Sequence, residues 1–160
     1  MTVISDSSPI IALARVSKLH LLSQLFGEVF IPDGVYKELT QEGKAGAEEV
    51  ERGLIFKRES IKNQDEFLRL APIVGRVDAE VIILAKEKEA TVALIDDRKL
   101  LKQAELQNIP AITITDILLE AKKRGFITSV KKVMDAMAIQ GIGISEEDYE
   151  DTLRRTGEIP

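Results

Sequence analysis

The chain has no cysteine and a single histidine, His20. Disulfides and thiolate metal sites are therefore excluded, and so are zinc centres built on several imidazoles. A Ser-His-Asp triad would have to use His20, which stands in an apolar helical stretch with Leu19, Leu21 and Leu22. Positive charge does not predominate either, with 22 Lys and Arg against 27 Asp and Glu. The net charge of −5 argues against a broad basic surface for duplex DNA, though a local basic path stays compatible with it. No apolar run reaches the roughly 18–20 residues of a membrane span. The opening Met1-Thr2-Val3-Ile4-Ser5-Asp6 lacks the basic start of a secretory signal. These absences predict a cytoplasmic protein with no membrane segment. They also restrict any metal to carboxylate ligands, which means a hard ion such as Mg²⁺ or Mn²⁺.

What is present is an ordinary globular balance, 44% hydrophobic and 31% charged over 160 residues, enough for one domain, 1–160, with a sizeable core. Short apolar runs read as strands at Thr2–Ser5, Val29–Ile31, Val92–Ile95 and Pro110–Thr113, with Leu54–Arg58 as an edge strand. Val92-Ala93-Leu94-Ile95 is apolar on both faces, as a buried parallel strand should be. Helices are predicted at about Pro9–Val16, Leu19–Phe26, Asp33–Leu39, Gln64–Ile73, Val77–Glu89 and Arg98–Gln107. C-terminal helices follow at about 115–155, in the stretches Thr115–Arg124, Ser129–Ala138 and Glu146–Arg154. Gly27 and Gly75 act as stops. Ser7 or Ser8 is a cap for the first helix with Pro9 in its first turn, and Ser145 with Asp148 forms a capping box. Strands alternating with helices define an α/β fold with a mostly parallel sheet.

Acids recur where strands hand over to helices or early in helices: Asp6, Glu38, Asp78 with Glu80, and Asp96 with Asp97. In an open α/β sheet that carboxyl edge is where ligands bind. If the strands ending at Asp6 and Asp96-Asp97 are neighbours, their carboxylates converge. Clustered carboxylates repel, and a divalent cation neutralises them. Such an ion polarises a phosphodiester and activates water. Asp33, Asp65 and Asp116 read instead as acids at helix N-termini, favoured by the macrodipole. Asp78 and Glu80 lie about 200° apart around a helix, so both cannot easily face one metal. The residues alone leave that choice open.

Four stretches in this order carry a resemblance: Val3-Ile4-Ser5-Asp6-Ser7-Ser8-Pro9-Ile10-Ile11, Ile31-Pro32-Asp33-Gly34-Val35-Tyr36-Lys37-Glu38-Leu39, Val77-Asp78-Ala79-Glu80-Val81-Ile82-Ile83-Leu84-Ala85 and Leu94-Ile95-Asp96-Asp97-Arg98-Lys99. Together with Leu118–Gly125 they resemble the PIN-domain family, in its small prokaryotic branch related to VapC-type toxins. The resemblance implies a three-layer α/β/α fold with a sheet of four or five strands. It implies a Mg²⁺- or Mn²⁺-dependent endoribonuclease, the toxin of a toxin–antitoxin pair, with a small antitoxin protein as partner and a homodimeric state. Asp6, Glu38, Glu80 and Asp97 match the family's four acids, Glu80 being preferred to Asp78 on the apolar spacing that follows it. Ser7 matches the hydroxyl beside the first acid. Many members have threonine or serine where this chain has Ile95, which makes Asp96 a credible co-ligand.

The implied mechanism is in-line hydrolysis by metal-activated water, leaving a 5′-phosphate on one product. Arg98, Lys99 and Lys102 are the candidate RNA contacts beside the fourth acid, for single-stranded or structured RNA, with Lys122, Lys123 and Arg124 further on. Two rivals stand beside this reading. One is a PIN-like module that only binds protein. The other is a different acid-rich phosphoryl-transfer domain, although a receiver would carry its acidic pair after the first strand and here Asp6 stands alone.

Overall fold

The computed structural model describes residues 1–41, 43–53 and 55–158. Five strands form one sheet: β1 (Val3–Ser5), β2 (Val29–Ile31), β3 (Phe56–Arg58), β4 (Val92–Leu94) and β5 (Ala111–Ile112). Their order is β3-β2-β1-β4-β5, and every pairing is parallel. The sheet expected to be mostly parallel is wholly so, because each strand returns through helical chain. Leu54, taken as the start of the edge strand, lies outside the described residues; the strand itself runs at the sheet edge from Phe56.

Ten helices flank the sheet among the described residues. In chain order they are α1 (Ser7–Arg15), α2 (His20–Phe26), α3 (Asp33–Leu39), α4 (Ala47–Glu51), α5 (Gln64–Val74), α6 (Arg76–Glu87), α7 (Arg98–Leu106), α8 (Ile114–Lys123), α9 (Val130–Ile139) and α10 (Glu146–Thr156). The helix predicted to be apolar almost all round is α6. Ala79 and Val81 to Ala85 are all buried, and the helix packs on β1, α3 and α5. Ile82, Ile83 and Leu84 are among the largest fully buried side chains, each stabilising the fold by roughly 1.5–3 kcal/mol. Gly75 separates α5 from α6 at φ +98°, a backbone that a side chain would strain, and so fixes where α6 begins.

Two caps differ from expectation. The first helix starts at Ser7, and its N-cap is Asp6 in extended geometry with no side-chain capping bond. Neither serine caps it, because the Ser7 hydroxyl is turned towards α3. The full capping box stands at Thr113 and Asp116, opening α8, where hydroxyl and carboxylate each serve the other's backbone N–H. At Ser145 the hydroxyl accepts from the Asp148 N–H at 3.1 Å, which is one arm of the box predicted there.

The topology puts β1 at the centre of the sheet with β4 beside it. The Asp6 N–H continues that ladder one step past β1, donating to the Leu94 carbonyl at 3.0 Å. Asp6 is thus anchored by backbone on the strand side and by helix α1 on the other.

Candidate active site

At the carboxyl edge of β1 and β4 the chain collects acids from four elements. Asp6 ends β1 and is 5% exposed. Burial pushes its carboxyl up from 3.8 to about 6; the Ser7 backbone N–H opposes this, and Asp78, Glu38 and Asp97 push it further up. Asp78 lies in the first turn of α6, half-buried. Burial raises its pKa too, then Asp97 and Glu38, with Lys99 acting the other way. Glu38 projects from α3 and accepts a hydrogen bond from the Ser7 hydroxyl at 2.5 Å. Asp97 caps α7, accepting the Leu100 N–H at 2.9 Å, while its charge bears on both Asp6 and Asp78. Four like charges feeling one another across α1, α3, α6 and α7 form one electrostatic unit.

Glu80 does not join this unit. Its Oε2 accepts the Gly34 N–H at 3.1 Å, at the N-terminal turn of α3. Burial raises its pKa and the Gly34 N–H lowers it; the charges that act on it are Asp33, Lys37 and Arg76. Of the pair on α6, both candidate ligands, Asp78 is the one whose charge bears on Asp6, while Glu80 is turned to Gly34. The 200° of rotation between them decides it: with the apolar face of α6 seated on β1, only one of the two can turn to the strand ends. The signal available in the sequence was the break at Gly75, which puts Asp78 in the first turn of the new helix, level with the acids at the strand ends.

Asp96 also turns away. It accepts the Ile114 N–H at 3.3 Å. Burial raises its pKa, the Ile114 N–H lowers it, and Asp148, Asp116 and Asp97 raise it in turn. It lines a cavity of about 370 Å³ with Arg98, Thr113, Ser145 and Asp148, on the β5 side of the edge. Asp33 is held by the Arg58 Nε and the Ser60 Oγ, both at 2.7 Å, and Arg58 lies over the Tyr36 ring at 4.6 Å. That lock between α3 and β3 was not foreseen.

Arg98, Lys99 and Lys102 are exposed on α7, and among the described residues no salt bridge engages them. Arg98 and Lys102 border a groove of about 590 Å³ with Leu101 and Ile109. Lys99 shares a small pocket of about 30 Å³ with Asp78. In the second basic cluster, Lys122 pairs with Glu158 at 3.2 Å and Arg124 with Glu120 at 2.9 Å. Lys122, Lys123, Arg124 and Glu120 line a groove of about 820 Å³ along α8 and α10. It holds none of the four clustered acids, so volume does not mark the chemical site here.

Among the described residues no group of three or more His, Asp or Glu side chains is arranged to hold a metal ion as it stands. The chemistry of the donor set still fits one. Every candidate ligand is a carboxylate oxygen, the donor type hard divalent cations take. Burial first, and then the neighbouring acids, raise the carboxyls of Asp6 and Asp78, and a cation would relieve the part that comes from the acids.

The chain matches the DUF3368 PIN domain over residues 2–158, and it belongs to the PIN-domain family. PIN domains are generally nucleases, generally use divalent metal ions and bind nucleic acid. Among solved structures, the crystal structure of PAE2754 from Pyrobaculum aerophilum is similar in fold, with a TM-score of 0.54 and 20% identity. The match covers 75% of this chain and 94% of that one. No curated protein matches the chain. Among the described residues no helix is long and apolar enough to cross a membrane.

Proposed function

We propose that the protein is a metal-dependent endoribonuclease that hydrolyses RNA phosphodiester bonds. The feature that carries this reading is the gathering of Asp6, Glu38, Asp78 and Asp97, from α1, α3, α6 and α7, at the carboxyl edge of β1 and β4. Asp6, Asp78 and Asp97 would hold Mg²⁺ or Mn²⁺. When bound, such an ion polarises the phosphodiester and lowers the pKa of an attacking water. Glu38, steadied by the Ser7 hydroxyl, orients that water or helps to hold a second ion. Asp6, fixed in the backbone ladder to β4, keeps its carboxylate in one position, which favours catalysis by lowering the reorganisation needed. Arg98, Lys99 and Lys102 receive the phosphates flanking the cut.

Asp78 rather than Glu80 is the third acid in this proposal, and Asp97 rather than Asp96 the fourth. Toxin activity with a small antitoxin partner, a homodimeric state and a cytoplasmic setting complete the reading. The test is cleavage of single-stranded RNA with Mn²⁺, with and without chelator, beside a melting curve with and without the ion. A binding module without activity predicts no cleavage and no Mn²⁺-linked rise in melting temperature.

A further inference from the structure

We infer that Glu80 is a positioning residue: by accepting the Gly34 N–H it pins the N-terminal turn of α3 to α6 and so sets the gap between Glu38 and Asp78. The inference rests on the nuclease reading of those acids.

The geometry is specific. Gly34 and Glu38 are four residues apart on α3, so they lie on the same face one turn apart. That face meets α6. Glu80 Oε2 takes the Gly34 N–H at 3.1 Å. The approach is so close that a β-carbon at Gly34 would collide with Glu80 Oε2 and stand 3.0 Å from Val77 Cγ2. A side chain at Gly34 would push the Glu80 carboxylate out of this position, and the N–H that Gly34 offers is one that the helix itself leaves unpaired. One turn further along, Glu38 comes into electrostatic contact with Asp78. Glu38 is held on its other side by Ser7 of α1. Loss of the Glu80 contact removes the polar tie between the start of α3 and α6 and leaves apolar packing such as that of Val77 at Gly34, so the spacing of the acids becomes more variable.

A group that orients ligands through a neighbour typically changes metal affinity about 10–100-fold when removed. Three replacements separate this role from direct coordination. Glu80→Gln keeps the reach and an acceptor oxygen but loses the charge. Glu80→Asp keeps the charge but falls short of Gly34 by one methylene. Glu80→Ala loses both. The readouts are the Mn²⁺ concentration giving half-maximal RNA cleavage, kcat at saturating Mn²⁺, and hydrogen exchange of the Gly34 amide in metal-free protein.

Positioning predicts that Glu80→Gln ranks nearest wild type. Glu80→Asp and Glu80→Ala should need at least about tenfold more Mn²⁺, with the Gly34 amide exchanging faster in both. The opposite ranking, Glu80→Asp mild and Glu80→Gln severe, makes Glu80 a ligand and overturns the inference. Wild-type Mn²⁺ dependence in Glu80→Ala also overturns it. If Glu80→Ala does not fold, the Gln and Asp variants alone decide the ranking. Wild-type protein that neither binds Mn²⁺ nor cuts RNA refutes the nuclease reading itself; a reversed ranking in a protein that does both refutes only the role of Glu80.

Discussion

Replacing Asp6 by asparagine should make the metal-free protein more stable at neutral pH while abolishing metal-dependent cleavage. Asp6 is 5% exposed, and its carboxyl is raised from 3.8 to about 6, chiefly by burial. A pKa raised on folding stabilises the protein fully below the unfolded value, and that contribution is lost as pH rises through the folded value. At about 1.4 kcal/mol per pH unit, ionised Asp6 costs the metal-free fold on the order of 3 kcal/mol at pH 7. Asparagine removes that cost but puts a buried amide NH2 in place of a carboxylate oxygen, which returns roughly 1–2 kcal/mol. The net gain of about 1–2 kcal/mol corresponds to a melting temperature higher by a few degrees in a chain of this size. At pH 4 the folded wild-type carboxyl is protonated and that cost is nearly gone, so the amide should leave the variant slightly less stable than wild type. The assay is a set of melting curves from pH 4 to 8 in chelator, with RNA cleavage measured in excess Mn²⁺. If Asp6 were only a helix cap, the variant would lose about 0.5–2 kcal/mol at pH 7 and keep its activity. A destabilised Asp6→Asn that cuts RNA at the wild-type rate refutes the assignment of Asp6 and most of the nuclease reading with it.

Asp78→Asn should also abolish cleavage and the Mn²⁺-linked rise in melting temperature; retained Mn²⁺ response would return the third acid to Glu80. Arg98→Ala should weaken RNA binding more at low salt than at high salt, since an unpaired exposed cation acts through screened charge; binding unchanged across a salt series removes Arg98 from the RNA path. Glu158 titrates with the opposite sign to Asp6. Burial alone would raise it, but the Ser129 hydroxyl, the Val130 and Lys131 N–H groups and Lys122 outweigh burial and hold it at about 2 instead of 4.5. Its contribution is present above 4.5 and is lost as pH falls towards 2. Asp6 should therefore add stability to the metal-free protein as pH falls from about 7 towards 4, Glu158 should remove it as pH falls from 4.5 towards 2, and Glu158→Gln should flatten only that acid limb of a pH-resolved melting series.

The strands and most helices were legible because their signals are local. Val92–Ile95 is apolar on both faces, Gly27 and Gly75 stop helices, and the run from Val81 to Ala85 can only be buried. The choice between Asp78 and Glu80 was not local. It depends on the rotational phase of α6 against β1, which the packing of Ala79 and its neighbours fixes in three dimensions. Spacing after the acid favoured Glu80; the position of the helix start favoured Asp78 and was the better guide to which acid faces Asp6. Ser7 was legible as a hydroxyl beside the first acid, but not its partner, because Glu38 is brought to it by the pairing of β1 with β2. Asp96 and Asp97 are adjacent in sequence, yet backbone N–H groups of different helices claim them, Ile114 of α8 for Asp96 and Leu100 of α7 for Asp97.

The place of β1 in the sheet also governs when the site can come into being. The first strand made is the central one, and its partner β4 arrives only at Val92–Leu94, after two other strands and six helices. Such long-range parallel pairing is closed late and slowly. During synthesis β1 can pair with β2 early, but the edge joining Asp6 to Asp97 does not exist in any nascent chain that ends before Asp97. The clustered carboxylates repel and so add nothing to early collapse. Assembly of the acidic centre is thereby tied to completion of the sheet, and a partly made chain carries the acids without the centre.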